Sequence, residues 1–167
     1  MSTLRPRTDS HWSPRGLALA AGRIHALVQE RPWVKGLSRT NYASRPQRLT
    51  IDGDLRSLLG DEGIPKEEIP LTRIGLPSGE DLIPVANDPT SPILLLADSH
   101  GLVFSAGEDM HTYSAGLADH LALVFGVPVE LIAARGSAAT EVRVRVARKA
   151  YKDEAWLRAK KLVVWCF

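Results

Sequence analysis

The sequence has a single cysteine, Cys166, so no disulfide can form within the chain, and cysteine content does not identify a redox compartment. No apolar run approaches the roughly 20 residues of a membrane-spanning helix, and residues 1 to 10 lack the apolar centre of a signal peptide. The chain also has no glycine-rich dinucleotide motif after a strand and no phosphate-binding loop, so no cofactor is predicted. Taken literally, these absences describe a soluble chain that is not exported.

The chain also has no large excess of one charge sign, because 21 basic and 19 acidic residues are mixed along it and the net charge is only +2. This balance disfavours a protein dedicated to binding nucleic acid. A chain of 167 residues with 44% hydrophobic content is long enough for one core and leaves little for a second. We therefore predict one domain over residues 1–167.

The first half contains one strong element, a helix that begins at Pro14 with Ser13 as its N-cap and stops at Arg31-Pro32. Apolar residues recur through it at helical spacing. From Trp33 to about Pro92 the prolines are frequent, and only Leu55 to Leu59 indicates a short helical turn. We interpret this stretch as a long and mostly irregular connection.

The second half alternates three apolar runs with two helical patterns. The runs are Ile93 to Ala97, Val129 to Ala134 and Leu162 to Phe167. The first helical pattern starts near Leu117 and is closed by Gly126, and the second starts at Thr140 and is interrupted near Lys152-Asp153. Continuous apolar strands between helices are typical of a parallel sheet covered on both faces, so the predicted fold is three-layer α/β/α.

Candidate catalytic groups follow the first two predicted strands and precede the first helix. The residues Asp98 to Gly101 follow the first of these strands, and a loop with Arg135 and Gly136 follows the second. In parallel sheets, chemistry gathers at these carboxyl ends. Asp9 and His11 lie just before Pro14 and can supply an imidazole oriented by a carboxylate.

These motifs resemble those of the SGNH hydrolases, since Ala97-Asp98-Ser99 is close to their opening Gly-Asp-Ser motif. In most of that superfamily the Asp and His lie near the C-terminus, whereas here Asp9-Ser10-His11-Trp12 comes before the serine. That order is similar to the alginate O-acetyltransferase family, whose SGNH hydrolase-like domains are permuted. The stretch from Arg7 to Gly16 looks especially like the beginning of that family's first helix.

The resemblance implies Ser99 as nucleophile, His11 as general base and Asp9 as the carboxylate that orients His11. It also implies that the backbone N–H groups of Ser99 and Gly136 hold the oxyanion. The implied activity is a serine-dependent O-acyltransferase or acetylesterase acting on O-acetyl groups of a polysaccharide or another acylated carbohydrate. Proteins of this family work in the cell envelope, yet the chain carries no export signal.

The chain departs from the family pattern at its third motif, whose Asn would follow the last strand, where the sequence stops at Phe167. We therefore expect an incomplete domain, derived from a longer protein. Two alternatives to catalysis stay open. One is a noncatalytic remnant or carbohydrate-binding module, and the other is a piece whose sheet a partner chain completes.

The remaining polar and aromatic residues have simpler interpretations. Trp12 is predicted to pack on the first helix. For His100 two interpretations stay open: it lines the pocket beside Ser99, or it points the other way, as adjacent residues at a strand end tend to do. A metal site around His111, Glu108 and Asp109 is disfavoured, because the spacing matches no familiar ligand set. Surface positions are predicted for two further histidines and for a basic face in the last helical region. These residues are His25 and His120, and Arg143, Arg145, Arg148, Lys149, Lys152, Arg158, Lys160 and Lys161.

Overall fold

The protein is described by a computed structural model covering residues 4–60, 63–136 and 139–167. Its centre is a parallel sheet of β4 (Ile93–Ala97), β5 (Glu130–Ala133) and β6 (Leu162–Cys166), in the order β5-β4-β6. Every residue of β4 is buried, as its unbroken apolar sequence predicts for a central strand. The predicted α/β fold with a parallel sheet is confirmed.

The two faces of β4 belong to different layers. Ile93 and Leu95 contribute to a core shared with α1 (Pro14–Val28) and α4 (Leu117–Phe125). Leu94 and Leu96 pack on the other face, in a smaller cluster that includes Val142 and Trp156. Those two residues come from α5 (Thr140–Lys152) and α6 (Glu154–Ala159). The alternation of β4 side chains thus gives the three-layer arrangement.

Local sequence signals set the helix ends as predicted. The Ser13 hydroxyl accepts a hydrogen bond from the Gly16 N–H at 3.1 Å, which caps α1. Gly126 ends α4 in the left-handed conformation at φ 72°. Asp153 separates α5 from α6 and caps the latter by accepting from the Trp156 N–H at 3.0 Å.

The predicted irregular connection between Trp33 and Pro92 is wrong, because this stretch contains a second sheet. After the short helix α2 (Pro32–Lys35) come β1 (Ala43–Ile51), α3 (Asp54–Leu59), β2 (Glu67–Ser78) and β3 (Asp81–Pro84). The three strands pair antiparallel in the order β1-β2-β3. The short helical turn predicted at Leu55 to Leu59 corresponds to α3.

Prolines misled the prediction because each lies where its strand has a neighbour on one side only. Pro46 is in the edge strand β1. Pro70 is in the part of β2 that pairs with β1 alone, and Pro77 is in the part that pairs with β3 alone. A proline removes one N–H donor, which costs little when that N–H would face no strand. The pairing is therefore compatible with a proline-rich sequence.

The predicted basic face is also corrected, because Lys149 and Lys160 do not point freely into solvent. Both contact the buried carboxylate of Glu130 at the start of β5, with Lys160 Nζ 2.7 Å from Oε2. Trp156 Nε1 donates to the same oxygen at 2.7 Å. The Glu130 cluster, formed by these four residues, ties α5 and the segment after α6 to the sheet.

Two of the histidine positions differ from the prediction as well. His120 is buried in α4, and burial lowers its pKa to about 4. His25 is half-buried, with its ring edge-on to Phe125 at 4.9 Å. Cys166 is half-buried in β6. None of the helices in the described ranges has the length and apolar character needed to cross a bilayer.

Candidate active site

The segment that carries Asp9 and His11 is held in place by the turn between β1 and α3. The Leu55 N–H donates to the Thr8 carbonyl at 3.1 Å. Gly53 lies so close to this segment that a Cβ on it would come within 2.0 Å of the Thr8 carbonyl oxygen. Only glycine permits this approach of two backbones. The turn after β1 therefore holds the backbone of the segment that leads into Asp9 and His11.

Asp9 and His11 form a buried pair. One carboxylate oxygen of Asp9, Oδ1, accepts from both the backbone N–H and the Nδ1–H of His11, each at 2.8 Å. The proton on Nδ1 leaves Nε2 as the basic nitrogen of a neutral ring. In this geometry a carboxylate fixes the orientation and tautomer of an imidazole, with Nε2 left as the proton acceptor.

The surroundings favour a charged Asp9 and a basic His11. Burial opposes ionisation of Asp9 and is the largest single effect, but hydrogen bonds from His11 and His111 together outweigh it and hold the pKa of Asp9 far below its usual range. The hydrogen bond with Asp9 raises the pKa of His11, against the opposing effect of burial. His11 thus has more proton affinity than a free imidazole.

Ser99 begins a tight 3₁₀ turn, Ser99–Gly101, immediately after β4. The Asp98 carboxylate accepts from the His100 N–H at 2.8 Å and caps the turn. A Cβ on Gly101 would lie 2.2 Å from the Ala97 Cβ, so glycine allows the chain to fold back on the end of the strand. The half-buried Ser99 is thereby held at the carboxyl end of the central strand.

All three predicted catalytic residues line one cavity of about 800 Å³. Its walls come from the segment before α1, the end of β1, α3 and the loops after β4. The described lining residues are Asp9, Ser10, His11, Thr50, Ile51, Asp52, Asp54, Ser57, Leu58, Ser99, Glu108, Asp109, Met110 and His111. The fold therefore brings together residues that are about 90 positions apart in the sequence.

Gly136, the second predicted oxyanion donor, is exposed with φ 61° and does not belong to the described lining residues of this cavity. Its loop is linked to the cavity by an ion pair between Arg135 and Asp109 at 2.6 Å. The loop residues Ser137 and Ala138 lie outside the described residues.

The structure adds residues that sequence reasoning missed. His111, predicted only as a disfavoured metal ligand, has its Nε2 2.7 Å from Asp9 Oδ2. His100 is not among the described lining residues of the cavity, but its ring is edge-on to that of His11 at 5.0 Å and to that of Trp12 at 6.4 Å. Burial lowers the pKa of His100, which favours a neutral ring beside His11.

Asp54, in the first turn of α3, is the third addition. It accepts from the Ser10 N–H at 2.7 Å and the Ser10 hydroxyl at 2.5 Å. Asp9, His11 and Asp54 lie close enough together to share a metal ion. Their atoms instead satisfy one another and Ser10 by hydrogen bonds, so an ion would have to break this network. The only sequence signal for Asp54 is the Asp52-Gly53-Asp54 turn that predicts α3.

Comparisons with known proteins agree with this architecture. Residues 6–167 match the family model described as "SGNH hydrolase-like domain, acetyltransferase AlgX". The O-acetyltransferase domain of Pseudomonas putida AlgJ superposes with a TM-score of 0.69 at 17% identity, covering 99% of this chain and 53% of that chain. Pseudomonas aeruginosa AlgX superposes with a TM-score of 0.64 at 16% identity, covering 99% of this chain and 35% of that one.

At such identities the two structural neighbours show the fold, and the chain spans about half of AlgJ and a third of AlgX. No curated protein sequence matches the chain significantly. The family model covers nearly the whole chain, which confirms the resemblance seen in the Asp-x-His-Trp and Asp-Ser motifs. The chain therefore belongs to the AlgX family of SGNH hydrolase-like acetyltransferase domains.

Proposed function

We propose that this chain is a serine-dependent O-acyltransferase or acetylesterase that acts on O-acetyl groups of a polysaccharide. The observation that carries the proposal is the common cavity of Asp9, His11 and Ser99, in which Asp9 Oδ1 accepts one hydrogen bond from the His11 ring and one from the His11 backbone N–H. The family's description as acetyltransferase, and the structural likeness to the AlgJ O-acetyltransferase domain, support acetyl as the acyl group. The motif resemblance to the alginate O-acetyltransferase family supports a polysaccharide such as alginate as the substrate.

In the proposed first step, the Ser99 hydroxyl oxygen attacks the acyl carbonyl carbon while His11 Nε2 takes the hydroxyl proton. The proposal assigns the stabilisation of the negative charge on the carbonyl oxygen to the backbone N–H groups of Ser99 and Gly136. Gly136 is not among the described lining residues of the cavity, and the Arg135–Asp109 ion pair is what links its loop to them. When this intermediate collapses, the bond to the leaving sugar oxygen breaks and His11 returns the proton to it. The product is an acyl-enzyme on Ser99.

In the second step, a hydroxyl group attacks the acyl-enzyme with His11 again as base. A sugar hydroxyl as attacking group gives transfer, and water gives hydrolysis. Asp9 stays ionised throughout and stabilises the imidazolium that His11 becomes in each step. The low pKa of Asp9, set by its hydrogen bonds against the effect of burial, supports this role.

A partner chain forms part of the proposal, because β6 is an edge strand of the parallel sheet. Trp165 and Phe167 on this strand and its end are 53% and 42% exposed. Exposed apolar side chains along an unpaired edge favour association with another strand. We infer that a partner strand covers this edge.

The test of catalysis compares the purified chain with Ser99→Ala and His11→Ala. We expect acetate release from an aryl acetate ester, and covalent labelling by a serine-directed fluorophosphonate, to be lost in Ser99→Ala and strongly reduced in His11→Ala. Ser78→Ala, at an exposed position at the end of β2, is the matched control and should react like the unmodified chain. Equal acetate release by the chain and by Ser99→Ala, or no labelling of the chain, would favour the noncatalytic alternative.

A further inference from the structure

Asp9 contacts a second histidine through its other carboxylate oxygen. His111 Nε2 lies 2.7 Å from Asp9 Oδ2, and the side chains of His111 and Asp9 are 8% and 1% exposed. His111 follows Asp9 by 102 positions, so the contact exists only in the folded chain. The carboxylate is thus held between two imidazole rings, one on each oxygen.

The loop that carries His111 is shaped to present this ring. His111 follows the 3₁₀ turn Glu108–Met110 and adopts φ 75°, in the left-handed region that non-glycine residues rarely occupy. The Phe104 N–H donates to the Met110 carbonyl at 2.8 Å, and the Phe104 ring lies 5.2 Å from that of His111. The surrounding contacts therefore stabilise an unfavourable backbone conformation that places His111 against Asp9.

The two carboxylate oxygens of Asp9 accept hydrogen bonds from different donors. Oδ1 has two bonds of 2.8 Å, both with His11. Oδ2 has the 2.7 Å contact with His111, and its other hydrogen bond, from the Asp54 N–H, is longer at 3.3 Å. Without His111, a buried and charged oxygen would keep only this weaker bond, which is unfavourable. His111 is therefore the main anchor of Oδ2.

We propose that His111 is a positioning residue, which orients the Asp9 carboxylate and thereby tunes the basicity of His11; this inference rests on the proposed function. As Asp9 Oδ2 accepts, His111 Nε2 carries a proton and donates. When His11 is neutral, the Asp9 anion depends strongly on the hydrogen bond that His111 donates to Oδ2. When His11 is protonated, its own positive charge stabilises the anion, and the His111 hydrogen bond contributes less. His111 thereby lowers the proton affinity of the Asp9–His11 pair and keeps more of His11 in the reactive neutral form.

Other ionisable groups face this pair and stay unchanged in the test. Asp54 Oδ2 lies 3.8 Å from His11 Nδ1. Asp98 adds a Coulombic attraction that favours protonated His11, and the ring of His100 packs on that of His11. Glu108 and Asp109 are on the same turn as His111, and Arg135 pairs with Asp109. Because these groups are the same in every variant, a change in the pH dependence of labelling after replacement of His111 can be assigned to His111 itself.

The experiment measures the rate of fluorophosphonate labelling of Ser99 against pH. In His111→Leu we expect the plateau rate to fall about tenfold or more, the effect of losing a hydrogen bond to a charged group. The acid limb, which is the part of the profile where the rate falls as His11 becomes protonated, should move to higher pH. The reason is that the Asp9–His11 pair now holds its proton more tightly. In His111→Gln the side-chain amide reaches the position of Nε2, so most of the rate and the original acid limb should return.

A variant that only weakens folding would reduce the labelled fraction without moving the acid limb. His120→Leu is the matched control, since it replaces another buried histidine that does not line the cavity, and its profile should equal that of the unmodified chain. If His111→Leu fails to fold, as judged by circular dichroism, His111→Asn replaces it. The shorter amide of His111→Asn cannot reach the position of Nε2, so its rate should fall while that of His111→Gln does not.

Two results would overturn the role of His111 and leave the proposed function intact. One is a wild-type plateau rate and acid limb in both His111→Leu and His111→Gln, and the other is equal rates in His111→Asn and His111→Gln. Absence of labelling in the unmodified chain would overturn both, and that result is recorded before any variant is made. The two failures are therefore distinguishable.

Discussion

Replacing Asp9 by asparagine removes the charge beside His11 and keeps the shape of the side chain. The amide oxygen of Asp9→Asn can still accept from the backbone N–H and Nδ1–H of His11, which both bond to the same oxygen of Asp9. Its NH₂ group would then face His111 Nε2–H and the Asp54 N–H, the two donors that contact Asp9 Oδ2, so donor would meet donor. The variant therefore loses the charge and at least one hydrogen bond.

The size of the effect depends on which way the amide turns. If the amide oxygen stays toward His11, the hydrogen bond remains but is no longer made to a charged group, which lowers its contribution from about 1.5–3 to about 0.5–1.5 kcal/mol. The difference of about 1–1.5 kcal/mol slows Ser99 labelling roughly five- to tenfold. If the NH₂ group turns toward His11, the ring must adopt the other tautomer and presents Nε2–H to Ser99. The loss then approaches about 10⁴-fold, as for the equivalent change in a serine protease triad.

The pH dependence gives the sign that tests the reasoning. In the unmodified chain the hydrogen bond with Asp9 raises the pKa of His11 against the effect of burial. Without the charge this pKa falls, so His11 stays neutral to lower pH and the acid limb of the labelling profile moves to lower pH. This direction is opposite to that expected for His111→Leu. Asp81→Asn, in the distant strand β3, is the matched control. A wild-type plateau rate with an unmoved acid limb would refute the assignment of Asp9.

Two further predictions concern the Glu130 cluster and the edge of β6. Glu130→Gln leaves the ammonium group of Lys160, whose side chain is 2% exposed, without its charged partner. The free energy of unfolding should fall by about 3–5 kcal/mol in urea titrations, and a loss below about 1 kcal/mol would contradict the role of the cluster. For the β6 edge, we expect the chain alone to elute in size-exclusion chromatography above its monomer size, and a Val163→Lys/Trp165→Lys double variant to elute as a monomer. A monomeric unmodified chain at high concentration would argue against a partner strand there.

Much of the parallel sheet could be predicted because its signals are local. The unbroken apolar sequence of β4, the glycine that ends α4 and the serine that caps α1 each determine structure within a few residues. The family resemblance added Asp9, His11 and Ser99, which the structure brings to one cavity. Their catalytic roles, and that of Gly136 as oxyanion donor, stay predictions that the labelling experiments test.

The hairpin and the second histidine could not be predicted, because both depend on contacts between distant residues. Proline content predicts loops, and only the pairing of β2 with one neighbour at a time explains why Pro70 and Pro77 fit there. His111 lies two residues after Asp109 and three after Glu108, a spacing that matches no familiar metal-ligand set and indicates no contact with Asp9. Its contact with Asp9 follows from the path of the loop after β4, which no periodicity encodes.

The two halves of the site are supported by different sheets, and this division explains how an Asp–His pair can precede the serine in sequence. Ser99 is fixed by the end of β4, whereas the backbone that leads into Asp9 is held by the turn after β1 through Gly53. The Asp9 side chain also contacts His111, in the loop after β4. Ile51 in β1 and Ile93 in β4 belong to the same buried core, so packing sets the distance between the sheets. Asp9 and His11 therefore do not have to follow a strand of the parallel sheet in the sequence. They can precede Ser99, provided that the antiparallel sheet packs on the shared core.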